Sequence, residues 1–216
     1  MKVLVISCHP DDEVLGVGGT ILQHRAVGDD VHVAMVTDGC SGVYDASKKA
    51  LLADSLKRCA NHLGVTRIHE LDLPNQRLDT LPLIEIAQHL ERVIAAVHPD
   101  VVYLHNKDDV NQDHQVVYKA GLIATRPYAC ENLKAVYLYE VPSSTEAGDA
   151  SFAPDYFVDI TAQLERKIEA FALYETELKP APHPRSPEAI RALARVRGFR
   201  VNVHAAESFV TVWRRA

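Results

Sequence analysis

Near the start of the chain, the stretch CHPDDE places His9, Asp11, Asp12 and Glu13 directly after an apolar run. Imidazole nitrogen and carboxylate oxygen both bind zinc at about 2.0–2.2 Å, and His9 and Asp12, three residues apart, can reach one ion across a tight turn. A third ligand is then needed. His114, in the stretch DDVNQDHQ at the start of a predicted helix, is the best candidate. Three protein ligands leave a coordination position open for water, which is the pattern of a catalytic rather than a structural zinc site. Asp11 lies beside these ligands, so it is the candidate general base for that water. The neighbouring carboxylates of Asp11, Asp12 and Glu13 also repel one another, and a bound cation would relieve that repulsion.

Other readings of the same residues need weighing. His98, Pro99 and Asp100 repeat the His-Pro-Asp tripeptide at a helix-to-strand turn, where proline ends the helix and aspartate leads into the strand. The first cluster can likewise be a polar loop whose carboxylates favour the dipole of the helix that follows. Gly16, Gly18 and Gly19 look like a dinucleotide fingerprint, but five residues, His9 to Glu13, separate the strand end from the helix that holds them. In that fingerprint the first glycine comes directly at the strand end, and carboxylates here would face the pyrophosphate. The glycines fit better as points where helix and sheet approach closely.

The elements that must position these residues alternate regularly. Apolar patterns predict strands at Val3–Ser7, Val31–Thr37, Arg67–Leu73 and Val101–His105, and helices at Leu15–Val27, Ala46–Leu63, Leu81–Val97 and His114–Thr125. Four consecutive β-α units predict an α/β protein: a Rossmann-like open, mostly parallel sheet with helices on both faces. After Pro127 the rhythm changes to strands at Ala135–Val141 and Tyr156–Asp159, a helix at Ala162–Tyr174, the proline-rich loop KPAPHPRSP, a helix from Glu188 and a strand near Phe209–Trp213. This reads as a C-terminal extension of mixed strands. Ligands of open parallel sheets bind outside the carboxyl ends of the strands. The His9 cluster follows the first strand and the His114 cluster the fourth, so both belong to that edge.

Composition bounds the rest. With 216 residues and 47% hydrophobic content, the chain suits one domain, residues 1–216, with a substantial core. A net charge of -6 speaks against a nucleic-acid partner. No apolar run is long enough to span a membrane and no secretory signal is visible, so the expected location is cytoplasmic. Cys8, Cys40, Cys59 and Cys130 show no C-x-x-C pair, which fits reduced packing thiols and leaves nitrogen and oxygen as metal ligands. Such ligands suit several divalent ions, Fe2+ as well as Zn2+.

Taken together, CHPDDEVLGVGGT and DDVNQDHQ resemble the motifs of the PIG-L (LmbE-like) family of zinc-dependent N-deacetylases. TDG at 37–39, HLGV at 62–65, LPNQRLD at 73–79, PDVVYLH at 99–105, YEVPSSTE at 139–146 and PHPRS at 182–186 extend the resemblance along nearly the full chain. The resemblance implies zinc held by His9, Asp12 and His114, Asp11 as general base, and hydrolysis of an N-acetyl group from an N-acetylated amino sugar or its conjugate. It also implies a possible homo-oligomer. One departure concerns catalysis: many relatives carry a histidine where this chain has Asn111, and an amide cannot deliver a proton at neutral pH. Either Asp11 makes both proton transfers or a residue such as His183 supplies the second, while Asp113 is expected to orient a catalytic or metal-binding neighbour. The arginine and glutamate of the family's second helix have no convincing match in KKALLADSLKR.

Candidate substrate contacts are Asp38, Asn75, Arg77, His183 and Arg185; turn or loop duty is the alternative for each. Tyr137, Tyr139 and Trp213 alternate along predicted strands and read as core. Two other functions share the same residues: an amidase for a larger acyl or thiol-conjugate amide, and a non-catalytic metal-binding module.

Overall fold

The structure, a computed structural model, describes residues 1–40 and 46–215. Its seven strands are β1 (Lys2–Ser7), β2 (Asp30–Thr37), β3 (Arg67–Leu73), β4 (Val101–His105), β5 (Ala135–Tyr139), β6 (Tyr156–Asp159) and β7 (Ala206–Arg214). Six helices accompany them: α1 (Asp12–Ala26), α2 (Ala46–Leu63), α3 (Leu83–Val97), α4 (Gln112–Ala124), α5 (Leu164–Ala172) and α6 (Pro187–Phe199). The strands form one sheet in the order β3-β2-β1-β4-β5-β7-β6. Strands β1 to β5 pair in parallel, and β7 runs antiparallel between β5 and β6. The expected mixed C-terminal strands are therefore the last two positions of the same sheet.

Side-chain alternation on a fully buried strand explains the two helix layers. In β1, Val3 and Val5 join a core with α1, α2, α5 and α6, whereas Leu4 and Ile6 join a second core with α3 and α4. Helix α1 is buried from Asp12 to Leu22, so its approach to the sheet is close. A Cβ at Gly16 would lie 2.2 Å from Cδ2 of Tyr139, and only glycine permits that contact. Tyr137 and Tyr139 are buried core residues, and Trp213 packs against the second core. Among the described residues no helix is long and apolar enough to cross a membrane.

Strand order reverses between β1 and β4, with β2 and β3 leading away on one side and β5 on the other. The loops after β1 and β4 diverge there and open a crevice at the carboxyl edge. Two helices begin earlier than their apolar periodicity indicates: α1 at Asp12 rather than Leu15, and α4 at Gln112 rather than His114. Acidic residues in a first turn favour the dipole without joining the apolar stripe. The shift places Asp12, Asp113 and His114 inside first turns, where the backbone fixes their direction.

Candidate metal centre and active site

Helix starts hold the site in place. At α4, the Asn111 side chain accepts the Asp113 N–H at 2.9 Å and so caps the helix. At α1, the residue before the first turn is Asp11, whose φ of 116° lies in a region that non-glycine residues rarely occupy. Such a conformation costs about 1–3 kcal/mol and persists only where its surroundings impose it. Gly39, at φ 71°, brings the loop after β2 against this turn; a Cβ there would stand 2.9 Å from the Pro10 ring.

Within this frame three donor atoms converge. His9 Nδ1 lies 3.0 Å from His114 Nε2 and 3.3 Å from Asp12 Oδ2, and the third side of the triangle, His114 Nε2 to Asp12 Oδ2, is 3.2 Å. Donors bound about 2.1 Å from one ion stand roughly 3.0 Å apart at octahedral angles and 3.4 Å at tetrahedral ones. Behind each imidazole sits a carboxylate: Asp113 Oδ2 is 3.4 Å from His9 Nε2, and Asp109 Oδ2 is 3.2 Å from His114 Nδ1, out of line for a hydrogen bond in the second case. Protons facing those carboxylates leave the inner nitrogens with lone pairs, the tautomers that metal-binding histidines use. Asp12 Oδ1 is buried and has no hydrogen-bond partner, so the carboxylate has capacity to spare.

Electrostatics at the triangle favour positive charge. Burial opposes the Asp12 charge, but His114 and His9 outweigh it and hold the carboxyl well below its usual range. Burial would lower His114, yet Asp12 and Asp109 keep it above the ordinary imidazole value. Asp109 accepts the Ser144 and Thr145 hydroxyls at 2.8 and 2.7 Å, which explains the role of the stretch YEVPSSTE.

Among the described residues, two groups of metal-ligating side chains gather their donor atoms within 4.8 Å: Cys8, His9 and His114, and Asp12, His105 and His114. Each alternative member has a partner outside the triangle. Burial pushes the Cys8 thiol up to about 12, its Sγ lies 3.6 Å from His9 Nε2, the nitrogen that faces Asp113, and all four cysteines are free thiols. His105 Nε2 accepts the Cys8 N–H at 2.9 Å, and its ring stacks under His114 with centroids 4.1 Å apart. Burial and the His114 charge hold His105 well below the ordinary imidazole range, so it supports His114 as a neutral plate.

Asp11 faces a cavity of about 110 Å³ next to the triangle, and Pro10, Leu52, Asn75, Gln76 and Asn111 share its wall. Burial raises Asp11 well above the usual carboxylate range, against the opposing pull of Arg185. That guanidinium reaches Asp11 Oδ2 at 2.7 Å, Glu177 Oε2 at 3.3 Å and Ser143 Oγ at 2.8 Å. The three carboxylates of the motif thus point in three directions. Asp11 meets Arg185, Asp12 meets two imidazoles, and Glu13 Oε1 accepts the Tyr174 hydroxyl at 2.6 Å. Protein partners thus relieve part of the repulsion for which sequence analysis invoked a bound cation.

The remaining expected site residues divide clearly. Asn75 and Arg185 line the cavity. Asp113 accepts the Gln76 and Leu78 N–H groups at 2.6 and 3.0 Å and so holds the stretch LPNQRLD over the site. Asp38 does not reach the cavity: its carboxylate accepts the Cys40 N–H at 3.0 Å and pairs with Lys49 at 3.0 Å. Arg77 is exposed, and its carbonyl closes a turn by accepting the Thr80 hydroxyl at 2.7 Å. His183 is exposed outside the cavity, with Nδ1 accepting the Arg185 N–H at 3.0 Å, and is not placed to protonate a leaving group. Asp109, Glu177 and Tyr174 were not singled out by sequence. Only Asp109 left a signal there, as a carboxylate in the loop that leads into the helix of His114.

Comparison with known proteins assigns the family and the fold. A profile described as PIG-L, GlcNAc-PI de-N-acetylase, matches residues 4–125, from β1 through α4, and so includes both clusters. The chain belongs to the PIG-L family. A diacetylchitobiose deacetylase of Thermococcus kodakarensis is 30% identical over 188 residues, covering 82% of this chain and 70% of that protein. The N,N'-diacetylchitobiose deacetylase structure from Pyrococcus horikoshii superposes with a TM-score of 0.80 at 23% identity, over 98% of this chain and 83% of that one. The 4-carboxy-2-hydroxymuconate hydratase GalB of Pseudomonas putida KT2440 shares the fold as well, with a TM-score of 0.77 at 23% identity over 100% and 97% of the two chains. The PIG-L fold therefore supports more than one reaction, and the activity has to be argued from the site.

Proposed function

We propose that this PIG-L protein is a metal-dependent N-deacetylase acting on an N-acetylated amino sugar or its conjugate. The observation that supports it most is the triangle of His9 Nδ1, Asp12 Oδ2 and His114 Nε2, with sides of 3.0–3.3 Å, beside the cavity-facing carboxylate of Asp11. Those three residues fit a divalent cation: the donors are nitrogen and oxygen, each histidine is backed by a carboxylate, and Asp12 Oδ1 is buried without a partner. Zinc is the expected ion and Fe2+ the alternative. When bound there, it would supply Lewis acidity toward the acetyl carbonyl and lower the pKa of water.

The residues of the chain do the rest. Asp11 accepts the proton of the attacking water and, with no histidine other than His9 among the described residues that line the cavity, returns it to the departing nitrogen. One carboxyl acting in turn as base and acid suits a group that burial raises and Arg185 restrains. Asn111 commits Oδ1 to the helix cap, and its Nδ2 is left to donate to the carbonyl oxygen as negative charge grows there. Pro10 and Leu52 offer the acetyl methyl an apolar wall. Asn75 and Gln76 supply polar groups for the sugar.

Acetate release from a panel of N-acetylhexosamines and N,N'-diacetylchitobiose, with zinc- or iron-loaded protein, tests this reading. Acetate and free amine formed in equal amounts, abolished by Asp11→Asn with the metal retained, are expected. No acetate from any of the compounds with either metal, or equal turnover by Asp11→Asn, would contradict it.

A further inference from the structure

Glu13, the third carboxylate of the motif, has no part in the chemistry above. It is 2% exposed and does not line the cavity. Its two oxygens are nevertheless fully engaged. Oε2 accepts the Asp11 backbone N–H at 3.1 Å and the Ser7 hydroxyl at 3.4 Å, while Oε1 accepts the hydroxyl of Tyr174, a residue with no exposure just beyond α5. Asp11 is the residue with φ of 116° that precedes α1, and no side chain caps the helix from that position. The contact is a variant of the capping box in which an acid two residues on, instead of three, receives the amide of the capping position.

We infer that Glu13, fixed by Tyr174, is a positioning residue that holds the Asp11 backbone in its left-handed conformation and thereby aims the Asp11 carboxylate into the cavity. The inference rests on Asp11 being the base. Three features separate this role from others. Glu13 touches Asp11 through the backbone amide, so it does not relay the Asp11 proton. Its oxygens accept from the Asp11 N–H, the Ser7 hydroxyl and the Tyr174 hydroxyl and face away from the triangle's donor atoms, so it does not serve as a ligand. The Tyr174 hydroxyl occupies the oxygen that Asp11 does not use, which selects the orientation of the carboxylate. A misdirected reacting group can lower a rate about a hundredfold while binding is preserved. Glu13 is suited to prevent that error because its anchor, Tyr174, comes from a separate segment just beyond α5, 161 residues along the chain.

The test compares Glu13→Leu, Glu13→Gln, Tyr174→Phe and Asp11→Asn as metal-loaded full chains, reading kcat, KM, bound metal per chain and the thermal midpoint. Glu13→Leu should lower kcat about 30-fold or more with KM within about twofold and metal content unchanged, and Tyr174→Phe should lower it about fivefold. Glu13→Gln, which keeps an acceptor for the Asp11 N–H, should stay within about threefold of the parent. A merely structural Glu13 would lower the midpoint and leave kcat per metal-loaded chain unchanged, and that result overturns the inference. So does a Glu13→Gln variant as slow as Glu13→Leu. If Glu13→Leu does not fold, Tyr174→Phe decides: parental kcat contradicts the inference. Full activity in Asp11→Asn would instead refute the reading of Asp11 itself, whatever the Glu13 variants do.

Discussion

His9-Pro10-Asp11 and His98-Pro99-Asp100 are the same tripeptide at opposite ends of two strands that pair in parallel, β1 and β4. The second one does only structural work. His98 is exposed at φ 53° and closes α3, its N–H donating to the Ile94 carbonyl at 2.8 Å. Asp100 accepts the Lys2 N–H at 2.8 Å and pairs with Lys134 at 2.8 Å. The first tripeptide lies where a strand ends and a helix begins, under a loop from the next strand pair. There Asp11 is buried and raised, and His9 meets His114 from 105 residues away. Identical residues differ in chemistry because the carboxyl edge gathers loops and helix N-termini, whereas the amino edge receives helix ends whose free groups are carbonyls.

The sharpest way to break this comparison is to make the same substitution in both tripeptides. Asp11→Asn should lower kcat by about 10²–10⁴-fold at constant metal content, the range for a lost general base, whereas Asp100→Asn should leave kcat unchanged in the same acetate assay. Next in size are the carboxylates behind the histidines. Asp109→Asn and Asp113→Asn should each weaken metal binding about 10–100-fold, read by competition with a chelator. Lys134→Ala, which strips Asp100 of its partner at the other edge, should leave metal affinity at the parental value.

The smallest effect tests the structural tripeptide on its own terms. Lys134 and the Lys2 amide hold Asp100 below the usual carboxylate range, against the opposing effect of partial burial. A carboxyl with a lowered folded-state pKa stabilises the fold above its unfolded value, about 3.9, and that contribution disappears as pH falls through the folded value. Asp100→Ala should therefore lose about 1 kcal/mol of stability at pH 7 in denaturant titrations. The difference from the parent should shrink once pH drops below the unfolded value.

Much of this was legible in the residues. Continuous apolar strands alternating with amphipathic helices pointed to the parallel sheet, and the site edge followed from it. His9, Asp12 and His114 could be chosen because a metal restricts ligand type and because loops at one edge meet. Arg185 could not be assigned to Asp11, since an arginine in a proline-rich loop 174 residues away carries no local pattern that names its partner. Tyr174 read as the end of an amphipathic helix, which hides a buried hydroxyl aimed at Glu13. His105 was masked in the opposite way: it ends a strand of buried residues, where a neutral packed histidine and a ligand look the same in sequence.

Metal bound per chain, measured on purified protein after saturation with zinc and removal of loosely held ion, tests the central claim most directly. The account predicts about one equivalent in the parent and in His98→Ala, and close to none in His114→Ala, the expected stoichiometry of a site with three protein ligands. Equal metal in parent and His114→Ala, or no retained metal in the parent, would contradict it.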